Sequence, residues 1–223
     1  MPSGINISDW GLIPYRTAYE RQKALFNDAI ERKTSRQSVK NTLIICEHPH
    51  VITLGKHGKH SNLLLDENRL RETGIECFRT DRGGDVTYHG PGQLVGYPIL
   101  DLELFNIGLK EYVFRLEETI IKLLDKYSIR GEHLPHASGV WIDIDKPAKV
   151  RKICAIGIKS SRYVTMHGFA LNVNTDLQYF DLINPCGFTD RGVTSVKKEL
   201  DVKIRMEDVK MLLAESFHRF FPT

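Results

Sequence analysis

The segment Val150-Arg-Lys-Ile-Cys-Ala-Ile-Gly-Ile158 places two charged residues among apolar and β-branched neighbours, and such a run is typical of a strand in a sheet. Residues 140–144 and 169–174 alternate apolar with small or polar side chains, which also predicts strands. Residues 41–47 form another short apolar run. The sequence therefore predicts a sheet that occupies much of the middle of the chain.

Apolar residues at helical spacing predict helices on either side of these strands. Such stripes cover residues 15–30, 109–124 and 209–220, and a shorter helix is expected at 66–72, followed by a strand at 75–79. Because helices and strands are mixed rather than strictly alternating, the pattern favours an α+β fold, a mixed β-sheet with helices packed on it. No linker or repeat interrupts the pattern, so we predict one domain over residues 1–223.

Composition narrows the classes of function. The 223 residues are 41% hydrophobic, enough for a sizeable core, and the formal charge of +3 suits an acidic protein partner or plain solubility. There is no basic block of the kind that nucleic-acid-binding proteins carry, no apolar run of membrane-spanning length, and no N-terminal targeting pattern. We therefore expect a cytoplasmic protein that binds neither nucleic acid nor membrane.

Cys186 is the cysteine best suited to chemistry. Pro185 and Gly187 flank it, and such residues favour a tight turn from which a thiol can project. The alternative is that Cys186 is a small, buried apolar residue. We interpret Cys154, which lies within a predicted strand, in that way. The four cysteines show no Cys-x-x-Cys pair and no metal-ligand spacing, so we expect reduced thiols and no metal site.

Lys152 is the candidate partner of that thiol. Alternation along a strand predicts that it shares an apolar face with Cys154, Ile156 and Ile158, where loss of solvation would favour the neutral amine, a base for a thiol. The alternative is a lysine that extends to the edge of the strand and keeps its charge in water.

A glycine-rich segment, Arg82-Gly-Gly-Asp-Val-Thr-Tyr-His-Gly-Pro-Gly-Gln93, predicts two tight turns that could wrap a ligand. It matches neither a P-loop nor a dinucleotide-binding fingerprint. The histidines between His48 and His60 raise the possibility of a metal, but they lack the spacing of a metal-binding helix.

Four separated strings together resemble the octanoyltransferases, or lipoyl(octanoyl) transferases, of protein lipoylation. They are the glycine-rich segment with Tyr97-Pro98 after it, Arg151-Lys-Ile-Cys-Ala-Ile-Gly157, His167-Gly-Phe-Ala-Leu-Asn172 and Asn184-Pro-Cys-Gly187. They occur in order, and the resemblance covers nearly the whole chain. It implies the fold of lipoate ligases and of the catalytic domain of biotin protein ligases.

The resemblance also implies a reaction and its residues. An octanoyl or lipoyl group would pass from acyl carrier protein to Cys186 as a thioester, and then to a specific lysine of a lipoyl domain, with Lys152 as the base. The implied acceptors are the lipoyl domains of 2-oxoacid dehydrogenase acyltransferase subunits and the glycine cleavage H protein, and no cofactor is implied. Residues expected to line the acyl pocket, with backbone amides there as oxyanion donors, are Arg82, Gly83, Gly84, Asp85, Val86, Thr87, Tyr88, His89, Ala155, Ile156, Gly157, His167, Gly168, Phe169 and Ala170.

Two other functions remain open from the sequence. An ATP-dependent lipoate-protein ligase would share the fold but would activate its acid as an adenylate and need no cysteine nucleophile. A non-catalytic module that binds acyl-carrier or lipoyl domains would need no activated thiol, so the pH dependence of cysteine alkylation separates it from the transferase.

Overall fold

Two β-sheets and five α-helices form the part of the chain that the computed structural model describes, residues 4–184 and 192–222. The strands are β1 (Asn6–Leu12), β2 (Thr42–Glu47), β3 (Val51–Leu54), β4 (Glu76–Arg79), β5 (Val86–His89), β6 (Gln93–Ile99), β7 (Glu132–Leu134), β8 (Ala137–Ile142), β9 (Arg151–Ser161), β10 (Val164–Asn172) and β11 (Gly192–Val193). The helices are α1 (Tyr15–Thr34), α2 (Glu67–Glu72), α3 (Leu109–Asp125), α4 (Val196–Leu200) and α5 (Met206–Phe220).

The larger sheet is mixed. Its order is β1-β2-β6-β10-β9-β8-β7, with β11 alongside β9. The pairs β1–β2 and β9–β11 are parallel, and the other pairs in this sheet are antiparallel. The smaller sheet has the order β4-β3-β5. The predicted α+β class is therefore confirmed.

The helices cover the two faces of the larger sheet. On one face, α3 and α5 pack Leu116 and Phe217 against a core that includes Leu171 of β10. On the other face, α1 packs Phe26 against a second core that includes Ala170, the next residue along β10. Burying a leucine or phenylalanine side chain contributes about 1.5–3 kcal/mol, so these stripes account for the docking of the predicted helices.

Strand β6 is the central element that the sequence patterns do not predict. It is buried on both faces, so it lacks alternation, and Gly96 and Pro98 interrupt its apolar run. The structure explains the glycine, because a Cβ at Gly96 would lie 2.1 Å from the ring of Phe169. Close packing with β10 therefore requires a residue that weakens the sequence signal for a strand.

Candidate active site

A cavity of about 140 Å³ lies where the smaller sheet faces the larger one. Its walls come from β5 of the smaller sheet and from β6, β8, β9 and β10 of the larger sheet. The residues predicted to form the acyl pocket or to act as its base converge here, since the lining includes Arg82, Gly84, Asp85, Val86, Thr87, His89, Lys152, Ala155, Ile156, Gly157, His167, Gly168, Phe169 and Ala170.

Two of the predicted pocket residues are not in the cavity lining. The buried ring of Tyr88 packs with Ile52 and stacks on Tyr179, with centroids 5.0 Å apart. The backbone N–H of Gly83 donates to the carbonyl oxygen of Ile158 at 2.8 Å. Six of the eight residues 82–89 thus lie in the cavity lining, and their assignment to acyl binding stays a prediction.

The wall formed by β9 and β10 is made of small residues set opposite each other. Ala155 pairs with Ala170, and Gly157 pairs with Gly168. A Cβ on Gly168 would lie 2.2 Å from the carbonyl oxygen of Gly96, so this position accepts only glycine without a shift of the backbone. Two segments far apart in the sequence thus create one wall with little side-chain volume.

Arg82 connects the glycine-rich loop to the smaller sheet through hydrogen bonds. Its buried guanidinium donates from Nη2 to the carbonyl oxygen of Thr53 at 2.8 Å and to Thr53 Oγ1 at 2.9 Å. From Nη1 it donates to the carbonyl oxygen of Gly83 at 3.1 Å. Arg82 therefore shapes the loop as well as lining the cavity.

His89 is held neutral in a fixed tautomer. Gln93 Nε2 donates to Asn172 Oδ1 at 2.9 Å, which leaves Gln93 Oε1 to accept from His89 Nδ1 at 2.8 Å. Burial, with a smaller contribution from the nearby His48, lowers the pKa of His89 to about 3. The ring is thus a neutral group in the cavity wall at physiological pH.

His167 belongs to a charged cluster at the cavity wall. Its Nε2 lies 2.8 Å from Asp81 Oδ1, and Lys159 Nζ lies 2.6 Å from Asp81 Oδ2. The hydrogen bond from His167 holds the pKa of Asp81 well below its usual range, whereas burial lowers the pKa of His167 itself. A neutral His167 therefore donates from Nε2 to a carboxylate.

Lys152 lies in the cavity, but on the opposite face of the sheet from the one that alternation predicts. The register between β8 and β9 shifts at this point, with Trp141 opposite Lys152 and Val140 opposite Cys154. Ile153 is thus an extra residue, a β-bulge, and both it and Cys154 join the core under α3 and α5. The prediction that Lys152 shares a face with Cys154 is wrong, because the bulge breaks the alternation between them.

Cys186 lies outside the described residues, as do its neighbours from 185 to 191. The described chain reaches the cavity on both sides of them. Phe180 lines the cavity before the gap, and Gly192 and Val193 line it after the gap. Val193 pairs with Lys152 in the sheet, so the chain that follows the gap runs beside the candidate base.

The other cysteines differ in exposure. Cys46 and Cys154 are buried, and burial raises the pKa of both thiols far above the usual value, which disfavours the thiolate. Cys77 is exposed on β4. The interpretation of Cys154 as a packing residue agrees with its place in the core.

His48 lies beneath the cavity and predicts a pH dependence of stability. Its Nδ1 donates to the carbonyl oxygen of Ile13, its Nε2 accepts from Tyr97 Oη, both at 2.7 Å, and burial lowers its pKa from 6.5 to about 4. As the pH falls from 6.5 to 4, the unfolded chain binds a proton that the folded chain does not, so stability falls. We expect this histidine to cost about 2 kcal/mol of unfolding free energy between pH 7 and pH 5.

Urea unfolding of the wild-type protein and of His48→Gln at the two pH values measures this cost. The variant is less stable at pH 7 because hydrogen bonds are lost, but its stability should fall less on acidification. A matched control, His57→Gln, removes an exposed histidine and should keep the wild-type pH dependence. Equal pH dependence in His48→Gln and wild type would contradict the prediction.

Sequence reasoning missed several residues of the cavity. These are Tyr15, Gln93, Val95, Tyr97, Ser138, Trp141, Asn172, Phe180, Gly192 and Val193. Gln93 and Asn172 are the last residues of two segments that carry the family resemblance, so the sequence did contain a signal for these two residues. Tyr15 and Trp141 carry none, because each has the periodicity of an ordinary core residue.

Within residues 4–184 and 192–222, no three histidine, cysteine, aspartate or glutamate side chains are grouped closely enough to hold a metal ion. In the same part of the chain, no helix has both the length and the apolar character needed to cross a membrane.

Comparison with known proteins identifies the class to which this fold and cavity belong. The family model of the lipoyl protein ligase A/B catalytic domain matches residues 14–218. The chain resembles an archaeal bipartite lipoate protein ligase from Thermoplasma acidophilum at a TM-score of 0.72 and 18% identity, covering 99% of this chain and 84% of that one. It also resembles biotin protein ligase from Aquifex aeolicus, at a TM-score of 0.51 and 13% identity over 99% of this chain and 69% of that one. At these identities the two likenesses establish the fold.

A sequence relative narrows the class. The octanoyltransferase of Parabacteroides distasonis is 54% identical over 213 residues, which is 96% of each chain. The chain therefore belongs to the lipoyl protein ligase A/B family and, within it, to the octanoyltransferases, which are acyltransferases.

Proposed function

We propose that this protein transfers an octanoyl group from the thioester of an acyl carrier protein to the ε-amine of a lysine on a lipoyl domain, through a thioester on Cys186. The observation that carries the proposal is the position of Lys152. Lys152 lines a cavity that is bounded on one side by glycine, alanine and apolar side chains of β9 and β10, and it pairs with Val193, which follows the residues outside the described part. Such a cavity suits an acyl chain, and a lysine in its wall suits proton transfer.

In the first half of the reaction, Lys152 Nζ takes the proton of the Cys186 thiol. The thiolate attacks the carbonyl carbon of the incoming thioester, the bond from that carbon to the carrier sulfur breaks, and the Lys152 ammonium returns the proton to the departing carrier thiolate. The octanoyl group is then a thioester of Cys186. The acyl donor arrives activated, so no ATP is consumed.

In the second half, the neutral amine of the acceptor lysine attacks the carbonyl carbon of the Cys186 thioester. An amide bond forms, the carbon–sulfur bond breaks, and the proton lost by the attacking nitrogen passes through Lys152 to the Cys186 sulfur. This returns the enzyme to its starting state.

The apolar wall explains selection of the acyl group. Each methylene that leaves water contributes about 0.8 kcal/mol, so a cavity of fixed length discriminates among chains by the number of carbons it accepts. Acyl carrier protein as donor, lipoyl domains of 2-oxoacid dehydrogenases and the glycine cleavage H protein as acceptors, and a cytoplasmic location all stay predictions.

Intact-mass measurement tests the proposal. Mixing the protein with octanoyl-acyl carrier protein, in the absence of ATP and of acceptor, should add one octanoyl group to the protein, and the adduct should map to the peptide that contains residue 186. Adding a lipoyl domain should then remove the adduct and place it on that domain. Octanoylation of the lipoyl domain that requires free octanoate and ATP, without an octanoyl adduct on this protein, would instead indicate a ligase.

A further inference from the structure

Trp141, on the neighbouring strand β8, lies next to Lys152 on the same face of the sheet. The two residues are direct partners in the β8–β9 register, so their side chains lie on the same face. Lys152 Nζ lies 4.5 Å from the centroid of the Trp141 ring, a distance at which the ring attracts an ammonium ion. Trp141 is only 2% exposed, so little solvent weakens that attraction on the ring side.

The local backbone is built to produce this pairing. Gly139, with φ +113°, lets β8 pass close to the bulged strand, since a Cβ there would lie 2.5 Å from the Cys154 carbonyl oxygen and 3.5 Å from Lys152 Cε. The buried carboxylate of Glu117 on α3 accepts from the Gly139 backbone N–H at 2.9 Å. Trp141 Nε1 donates to the carbonyl oxygen of Ala137 at 3.2 Å, which fixes the plane of the ring.

We propose that Trp141 is a positioning residue for the proposed acyl transfer, because its ring holds the Lys152 amine in the cavity and stabilises its ammonium form. This inference rests on the proposed function. Lys152 must become an ammonium when it takes the thiol proton, and a ring face that favours the cation favours the thiolate that forms with it. The ring thus lowers the pH at which the Cys186 thiol ionises.

Other titratable groups lie near Lys152. Within the described residues, the titratable side chains that share the cavity lining with it include Arg82, Asp85, His89 and His167. Behind the sheet, the carboxylate of Glu117 approaches from α3. Beside Lys152, the side chain of Arg151 is paired with Glu199 of α4 and with Asp143. The test must separate the ring from these charges, which a double-mutant cycle does.

The cycle consists of wild type, Trp141→Leu, Lys152→Met and the double variant. The first readout is the pH midpoint of iodoacetamide alkylation, followed by mass on the residue-186 peptide so that the exposed Cys77 does not interfere. We expect Trp141→Leu to raise the midpoint by about one pH unit and to lower kcat about tenfold, with a smaller change in KM. In the Lys152→Met background, Trp141→Leu should leave the midpoint unchanged.

Trp141→Phe keeps an aromatic ring, so its alkylation midpoint should lie close to the wild-type value. This control separates the effect of the ring from a general effect of removing a large buried side chain. Circular dichroism and thermal unfolding identify any variant that fails to fold. If Trp141→Leu leaves the midpoint at its wild-type value, or shifts it equally with and without Lys152, the inference is overturned. If Lys152→Met itself leaves the midpoint unchanged, the proposed cysteine–lysine pair is wrong, which is a separate result.

Discussion

Replacement of Cys186 with serine is expected to reduce octanoyl transfer by about 10³-fold or more and to abolish the octanoyl adduct. A hydroxyl is a far weaker acid than a thiol, so an amine base such as the proposed Lys152, which can deprotonate a thiol, does not generate an alkoxide. Turnover with octanoyl-acyl carrier protein and a lipoyl domain, together with intact mass, measures the effect.

Cys154→Ser is the matched control for this prediction. Cys154 is buried in the core, where burial raises the pKa of its thiol, so the variant should lose some stability but keep transfer and the adduct. Cys77→Ser, at an exposed position, should behave as wild type. Transfer that survives in Cys186→Ser and disappears in Cys154→Ser would show that another thiol is the nucleophile.

Replacement of Lys152 with alanine is expected to lower kcat by about 10²–10⁴-fold, the range for removal of a general base, with folding near normal. The side chain is partly buried and lines the cavity, so its removal should disturb turnover much more than packing. Steady-state kinetics and thermal unfolding of the same preparation separate the two effects. Loss of the fold would instead support a structural role.

Lys152→Arg sharpens this prediction. Arginine keeps the positive charge but does not act as a base near neutral pH. The Cys186 thiol should therefore still react with iodoacetamide below its ordinary pKa of about 8.5, whereas turnover should remain low. Lys149→Met, which removes an exposed lysine three residues away, should leave both properties unchanged.

Much of the fold follows from periodicity. Helices α1, α3 and α5 carry regular apolar stripes, and β9 and β10 carry apolar runs, because each buries one face or both against a neighbour. The sequence patterns did not predict strand β6, because its glycine and proline allow close packing against β10 but are rarely found in strands. Context of this kind depends on a partner strand more than 60 residues away, which no local pattern contains.

Some features of the candidate site could likewise be predicted from the sequence, and others could not. The glycine-rich segment and the Lys152 strand could be placed near each other from the sequence because the family resemblance links their strings. The face that Lys152 occupies could not be predicted, since a bulge is a property of two paired strands. Tyr15 and Trp141 were missed for a related reason: an aromatic residue in a cavity wall has the same sequence signature as one in a core.

The extra residue in β9 means that backbone pairing, and not only residue type, controls where the amine lies. Substitution of Ile153 by another apolar residue preserves the offset between Lys152 and Cys154. Regular alternation through all three residues would instead put Lys152 on the side that α3 and α5 cover, together with Cys154. A change that straightens this part of β9 while keeping its length should therefore remove the amine from the cavity, even if every side chain of the segment is kept.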